Sequence, residues 1–121
     1  MIVLKKSLSK WVKVSKDDTV EFLIDYPTIK QGEHLDELKY DALGKYFNED
    51  LKIDLAKFLK YKRYYLKYVI KDWKGLGDKC ELKDGELTDE LWTALTRDEN
   101  QVNLLYELIA ELDFDNSDKK K

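Results

Sequence analysis

The feature that most constrains the fold is the stretch from Leu51 to Trp73, which contains no glycine and no proline. Apolar side chains recur along it at steps of three and four residues, the spacing that places them on one face of a helix. They are Leu51, Leu55, Phe58, Leu59, Tyr65, Leu66, Val69, Ile70 and Trp73. At 1.5 Å per residue this helix would be roughly 34 Å long. The sequence therefore predicts one long central helix that the other elements cover.

Length and composition fit one folded domain. The chain has 121 residues, of which 43% are hydrophobic and 39% are charged, a balance typical of a folded and well-solvated protein. We expect a single globular domain over residues 1–112. Residues 113–121 are polar and strongly charged, which predicts a flexible C-terminal tail.

Net charge, cysteine content and hydropathy argue against a nucleic-acid-binding, membrane or secreted protein. The net charge of −3 argues against bulk attraction to nucleic acid or to an anionic membrane. The single cysteine, Cys80, allows no intrachain disulfide and suits a reducing compartment. No run approaches the ~20 apolar residues of a membrane span, and the apolar patch at the N-terminus is too short for a signal peptide. We therefore expect a cytoplasmic protein with no membrane partner.

The N-terminal part of the chain has the alternation of two strands. Residues 8–15 and 20–26 place β-branched and aromatic side chains at every second position, around a polar turn at 16–19, which predicts a β-hairpin. Trp11 and Leu23 fall on the face opposite the main apolar stripe. An isolated hairpin is marginal in water, so we expect it to pack on a helix. Its edges are candidate sites for a partner strand.

Two helices are predicted on either side of Gly44. Residues 33–43 form a short amphipathic pattern that this glycine would end. Residues 48–50, Asn-Glu-Asp, would cap the long helix and complement its dipole. Gly75 and Gly77 would then release the backbone at its end.

The C-terminal third predicts two further helices. After a loop or small hairpin at 78–87, Thr88 is a good N-cap for a helix that carries Trp92. Thr96 and Glu99 have the spacing of a capping box for a last helix over about 97–112. The predicted fold class is therefore α+β, an N-terminal β-hairpin packed on a bundle of about four α-helices.

The sequence shows no catalytic constellation. His34 is the only histidine, and we expect it in a polar loop or first helical turn, on the surface, without a nucleophile signature nearby. Paired acidic residues fall in turns and helix starts, where they act as caps. The tail from Asp113 lacks the glycine and the glutamate of a calcium loop. We predict no catalytic residue, no cofactor and no metal site, so the expected protein is not an enzyme.

A stripe of three tyrosines, Tyr61, Tyr64 and Tyr68, runs beside the apolar face of the long helix, with basic residues between them. Residues 57–74 carry seven Lys or Arg and one Asp, whereas residues 81–121 carry five Lys or Arg and twelve Asp or Glu. The stripe could line a half-buried groove, bind another protein or stack nucleic-acid bases. The acidic C-terminal third is the one partner that the sequence offers within the chain.

One segment resembles a known family. The run Val69-Ile70-Lys71-Asp72-Trp73-Lys74-Gly75 is followed by an Asp84-Gly85 turn and then by Thr88-Asp89-Glu90-Leu91-Trp92. With the Trp-bearing hairpin before it and the closing helix after it, this order resembles the small tail assembly proteins of siphophages and prophages. The similarity extends over residues 8–121 in the order of elements, and residues 69–92 are its specific part.

The resemblance implies a tail assembly chaperone, which is not an enzyme. Such proteins bind the long tape-measure protein, keep its apolar helices soluble until the tail tube forms, and self-associate. The expected partners are therefore a tape-measure-type protein and further copies of the chain, in the cytoplasm of the host cell. We expect contacts through Trp11, Leu23, Tyr61, Tyr64, Tyr68, Trp73 and Trp92. The alternative is a small nucleic-acid-binding regulator that uses the basic, Tyr-rich helix 57–74.

Overall fold

The computed structural model describes residues 10–13, 19–43, 54–77 and 79–111. The elements, in chain order, are β1 (Lys10–Lys13), β2 (Glu21–Ile24), α1 (Ile29–Leu43), α2 (Leu55–Val69), β3 (Ile70–Lys74), β4 (Leu82–Lys83), β5 (Glu86–Leu87), α3 (Asp89–Leu95) and α4 (Glu99–Glu111). A hairpin near the N-terminus and four helices confirm the predicted α+β class. The predicted tail at 113–121 lies outside the described residues.

Three strands form an antiparallel sheet in the order β1-β2-β3. Val12 pairs with Phe22, and Phe22 pairs with Trp73; all three side chains are buried in the core. Trp11 pairs with Leu23 on the opposite face, as the alternation predicts. The hairpin prediction is therefore confirmed for the described strands, while its predicted turn lies mostly outside them.

The helix predicted over residues 51–73 is wrong at its C-terminal end, where the chain changes from helix to strand. α2 stops at Val69, and Ile70 has extended backbone angles, φ −78° and ψ 124°, while its N–H still donates to Leu66 O. The strand β3 then runs beside β2, and Asp25 N–H donates to Val69 O at 3.0 Å. Ile70 and Trp73 fit the helical pattern, but β-branched and aromatic residues are also common in strands. The pairing with β2 therefore decides that this segment is a strand.

The start of α2 also differs from the prediction. Its N-cap is Asp54, whose side chain accepts a hydrogen bond from Lys57 N–H at 3.2 Å. The acidic residues at 48–50, which were expected to cap the helix, lie outside the described part of the chain. The described helix therefore spans 15 residues, Leu55–Val69, and is shorter than the sequence pattern indicates.

The first helix, α1, begins four residues earlier than predicted because of a capping box that the sequence pattern did not reveal. Thr28 N–H donates to Gln31 Oε1 at 2.9 Å, and Gln31 N–H donates to Thr28 Oγ1 at 3.2 Å. Each side chain thus accepts a hydrogen bond from a backbone N–H group at the start of the helix that has no carbonyl partner within the helix. Gln31 Nε2 also donates to Glu86 Oε2 at 3.2 Å, which ties α1 to the β4–β5 hairpin.

Of the two helix N-caps predicted in the C-terminal third, one is confirmed and one is wrong. Thr88 caps α3, because its hydroxyl accepts a hydrogen bond from Leu91 N–H at 3.4 Å. The capping box at Thr96 is wrong, since this residue ends α3 and donates its hydroxyl to Trp92 O at 2.7 Å. Asp98 instead accepts a hydrogen bond from Asn100 N–H at 3.0 Å at the start of α4.

The two glycines that were predicted to end the long helix follow β3 instead. Gly75 has φ +85°, and a Cβ at this position would lie 2.6 Å from Thr19 O, so only glycine fits here. Gly77 also has φ +85° but has open space around it. A two-residue hairpin turn at Asp84–Gly85, both with positive φ, joins β4 to β5, which confirms the smaller hairpin.

The core is centred on α2, which packs on α1, α4 and β5. Its buried side chains include three tyrosines and the aliphatic residues at its C-terminal end. The buried core consists of Val12, Phe22, Ile24, Leu35, Leu38, Tyr61, Tyr65, Leu66, Tyr68, Val69, Ile70, Trp73, Leu87, Leu95, Val102, Leu105 and Ile109. The central position predicted for this helix is therefore correct, although its length is not.

Candidate functional site

The tyrosine stripe of α2 is covered by the chain itself. Tyr61 and Tyr68 are 8% and 6% exposed, and Tyr64 is half-buried. The Tyr61 ring meets Tyr106 of α4 edge-on, with centroids 5.8 Å apart, and Tyr64 packs on Trp92 of α3 at 4.6 Å. Of the three interpretations of the stripe, the structure therefore favours the groove lining, and the acidic C-terminal third supplies the covering helices.

His34 joins these tyrosines from α1. Its Nδ1 lies 2.5 Å from Tyr68 Oη, and its ring meets Tyr64 edge-on with centroids 4.9 Å apart. The expectation of a surface histidine in a loop or first turn is corrected here, because the earlier start of α1 moves His34 to the second turn. There it is half-buried against α2.

A polar cleft of about 490 Å³ opens beside this histidine. It is lined by Thr28, Lys30, Gln31, His34, Tyr68, Asp84 and Glu86. Burial, the Glu86 carboxylate and Tyr64 together raise the pKa of Tyr68 to about 12. The Tyr68 phenol therefore keeps its proton at neutral pH and can exchange hydrogen bonds with His34, but it cannot act as a base.

The thiol of Cys80 is also unsuited to nucleophilic chemistry. Burial, with a smaller contribution from the Asp72 carboxylate, raises its pKa to about 11, so the reactive thiolate is scarce at neutral pH. Within the described parts of the chain, no group of three His, Cys, Asp or Glu residues could hold a metal ion. No helix in those parts is long and apolar enough to cross a membrane.

Most basic side chains of residues 57–74 are engaged within the chain. Lys67 Nζ lies 3.3 Å from Asp89 and 4.5 Å from the ring centroid of Trp92, and Lys71 Nζ donates to Gly85 O at 2.7 Å. The other contacts are Lys57 with Asp41, Lys62 with Asn103, Arg63 with the Trp92 ring and Lys74 with the Trp11 ring. Side chains held in this way are less available to phosphates, so the geometry lends no support to the nucleic-acid alternative.

The remaining predicted contact residues divide between core and surface. Trp73 is 9% exposed, and Trp92 is half-buried and donates its Nε1–H to Arg63 O at 2.9 Å. Trp11 and Leu23 are half-exposed on the outer face of the sheet. The structure thus brings the tyrosine stripe, Trp92 and His34 together and leaves Trp11 and Leu23 apart. That any of them binds a partner stays a prediction.

An apolar groove lies between the starts of α2 and α4, at residues that the sequence did not mark as a site. It has a volume of about 370 Å³ and is lined by Leu55, Ala56, Phe58, Leu59, Lys62, Glu99 and Asn103. We call it the α2–α4 groove. Leu55 is 76% exposed, and Leu104, the residue after Asn103 on α4, is 55% exposed. The sequence pattern assigned Leu55 to the apolar face of the long helix, which is why it could not reveal a surface here.

Comparisons with known proteins give no independent lead to function. No protein-family model matches the chain, and neither the curated proteins nor the solved structures contain a match to it. The geometry described above and the resemblance of residues 69–92 are therefore the basis for a functional proposal.

Proposed function

We propose that this protein is a non-catalytic phage tail assembly chaperone that binds a helical tape-measure-type protein in the host cytoplasm while the tail assembles. The α2–α4 groove is the observation that carries this proposal. A helical partner could lay its apolar face into such a groove, as amphipathic helices do on other grooved proteins. Self-association of the chain belongs to the same proposal.

The groove has the chemistry that an apolar helix requires. Four of its seven lining residues are aliphatic or aromatic, namely Leu55, Ala56, Phe58 and Leu59, and Leu55 is 76% exposed. Covering one exposed leucine completely contributes about 1.5–3 kcal/mol. Lys62, Glu99 and Asn103 supply a polar rim of both charges, which would set the orientation of the bound helix more than its affinity.

The residues that carry the family resemblance have structural roles in this fold. Trp73 is a core residue, Gly75 allows a close backbone approach to Thr19, and Thr88 caps α3. These positions stabilise the fold observed here, and none of them offers an exposed apolar surface. The partner surface must then lie elsewhere, and the α2–α4 groove is one such surface.

A solubility assay tests the proposal. The chain is co-expressed with a helical fragment of a siphophage tape-measure protein, and the soluble fraction of that fragment is measured. We expect the wild-type chain to raise this fraction several-fold. The double variant Leu55→Asp with Ala56→Asp should remove most of the gain, because both residues line the groove and are exposed, and two carboxylates would then face the apolar side of the fragment.

Leu82→Asp is the matched control, because Leu82 is 40% exposed on β4 and does not line the groove. This variant should keep the full gain, and circular dichroism should show that all variants retain their helices. If the wild-type chain does not raise the fragment's solubility, the chaperone function is refuted. If it does so equally well with both groove residues replaced, the function stands and the groove is the wrong surface.

A further inference from the structure

The segment Ile70–Lys74 combines a helical sequence pattern with a strand conformation. Leu66, Val69, Ile70 and Trp73 follow one another at the three- and four-residue steps of a helix, yet α2 stops at Val69. The side chains of Ile70 and Trp73 are buried in β3, and a continued helix would place them on the same apolar face as Leu66. Both conformations can therefore bury the same apolar side chains.

No local signal ends α2 at the point where it stops. The C-cap is Ile70, a β-branched residue, whereas helices commonly end at a glycine in the left-handed conformation. Ile70 N–H donates to Leu66 O, which is the bond that a continuing helix would make. The first glycine after this point is Gly75, at the far end of β3.

Tertiary contacts hold the strand instead. β3 pairs with β2 at four positions, with an irregularity that leaves Lys71 as the extra residue between the pairs made by Ile70 and Asp72. Lys71 Nζ reaches Gly85 O at 2.7 Å. At the end of the strand, Gly75 lies so close to Thr19 that a Cβ would be 2.6 Å from its carbonyl oxygen.

We propose that Ile70–Lys74 is a conformational switch with two states, the strand β3 and a helical extension of α2. Gly75 holds the strand state, because its close backbone approach to Thr19 is made only while the segment is a strand, whereas its left-handed backbone would also suit the end of an extended helix. The extended helix would be longer by about 7.5 Å at 1.5 Å per residue. In that state β2 keeps its pairing with β1 but loses β3, and the freed edge can pair with an extended segment of another chain.

The substitution Gly75→Ala tests this role of Gly75. In the strand state the alanine Cβ would lie 2.6 Å from Thr19 O, a clash that is absent from the extended helix, so the strand state should lose population to the helix. We expect the Cα chemical shifts of residues 70–74 to move from strand values to helical values. Gly77→Ala is the matched control, since Gly77 has the same φ and open space around it, and it should leave these shifts unchanged. Strand shifts, or random-coil shifts confined to residues 70–74 of an otherwise folded Gly75→Ala chain, would overturn the proposal.

A measurement on the wild-type chain keeps the proposal testable if Gly75→Ala does not fold. Saturation-transfer NMR should detect a minor state with helical Cα shifts at residues 70–74. Lys71→Pro should abolish this state, because proline breaks a helix interior, while Ile70 already has backbone angles that tolerate a following proline. Lys71→Ala should retain it. The absence of a helical minor state in the wild type, or its survival in Lys71→Pro, would refute the switch.

Discussion

The two ends of α2 carry the same kind of apolar face and meet different surroundings. At the C-terminal end, Leu66 and Val69 are fully buried, and Tyr68 is 6% exposed against His34 of α1. At the N-terminal end, Leu55 is 76% exposed on the rim of the α2–α4 groove. One continuous sequence pattern therefore produces core at one end of the helix and open surface at the other.

This contrast reverses the usual meaning of the residue types involved. Tyrosines, which are common in binding hot spots, lie inside the structure, with Tyr61 and Tyr65 packed on Tyr106. Leucines, which are usually buried, form the exposed apolar surface. The identity of a residue says what a surface could bind, whereas the packing of α3 and α4 determines which residues form that surface.

A pair of matched substitutions tests the contrast most directly. Leu66→Ala removes a side chain that is 0% exposed and should lower the free energy of unfolding by about 3 kcal/mol, since it leaves a cavity. Leu55→Ala removes the same atoms from a site that is 76% exposed and should cost less than about 0.5 kcal/mol. Thermal unfolding measures both, with an expected decrease in Tm of roughly 10 °C for the first. Equal effects would mean that the open end of α2 is covered in the folded protein.

The sequence was sufficient to predict most elements but not the point at which α2 becomes β3. The alternation around Val12 and Phe22, the Asp84–Gly85 turn and the Thr88 cap are local signals, and the structure has all three. The end of α2 depends on pairing with β2, whose residues lie about fifty positions earlier in the chain. A helical pattern alone cannot register a contact at that sequence distance.

The candidate site was harder to predict from the sequence for a related reason. The sequence correctly suggested that the acidic C-terminal third could cover the tyrosine stripe, because their charges are complementary. It could not show that Trp92 would fill the space beside Tyr64, or that α4 would leave Leu104 outside. Which member of an apolar stripe stays exposed depends on where neighbouring helices end, and this is a property of the packed structure.

The dependence of stability on alkaline pH tests whether the C-terminal end of α2 is covered, because Tyr68 is buried there. Burial and the Glu86 carboxylate raise the pKa of this phenol in the folded protein to about 12 from its usual 10. The unfolded chain therefore loses its Tyr68 proton first, so the stability that this group contributes is complete below pH 10 and is lost as pH rises through 12. We expect unfolding in urea to show a loss on the order of 1–2 kcal/mol in this window.

Two substitutions isolate the contribution of Tyr68 to the alkaline decline. Tyr68→Phe should flatten the alkaline decline relative to the wild type, whereas Tyr40→Phe, at a site that is 66% exposed, should leave it unchanged. A decline that is equally steep in Tyr68→Phe would show that Tyr68 titrates in the folded protein as it does in water.

The smallest expected difference concerns two lysines at opposite ends of α2. The Lys67 side chain is 14% exposed, lies 3.3 Å from Asp89 and sits over the Trp92 ring at 4.5 Å, so Lys67→Met should cost about 1 kcal/mol. The Lys57 side chain is 49% exposed beside Asp41, and Lys57→Met should change the free energy of unfolding by less than about 0.5 kcal/mol.

Urea unfolding at low and high salt separates these two lysines. The exposed Lys57–Asp41 pair is open to screening by salt, whereas the contact of Lys67 with Trp92 is partly shielded from water. The effect of Lys67→Met should therefore persist in 1 M salt, and any effect of Lys57→Met should vanish. If both effects vanish, the covered end of α2 is open to solvent and ions, and the difference between the two ends concerns only their apolar side chains.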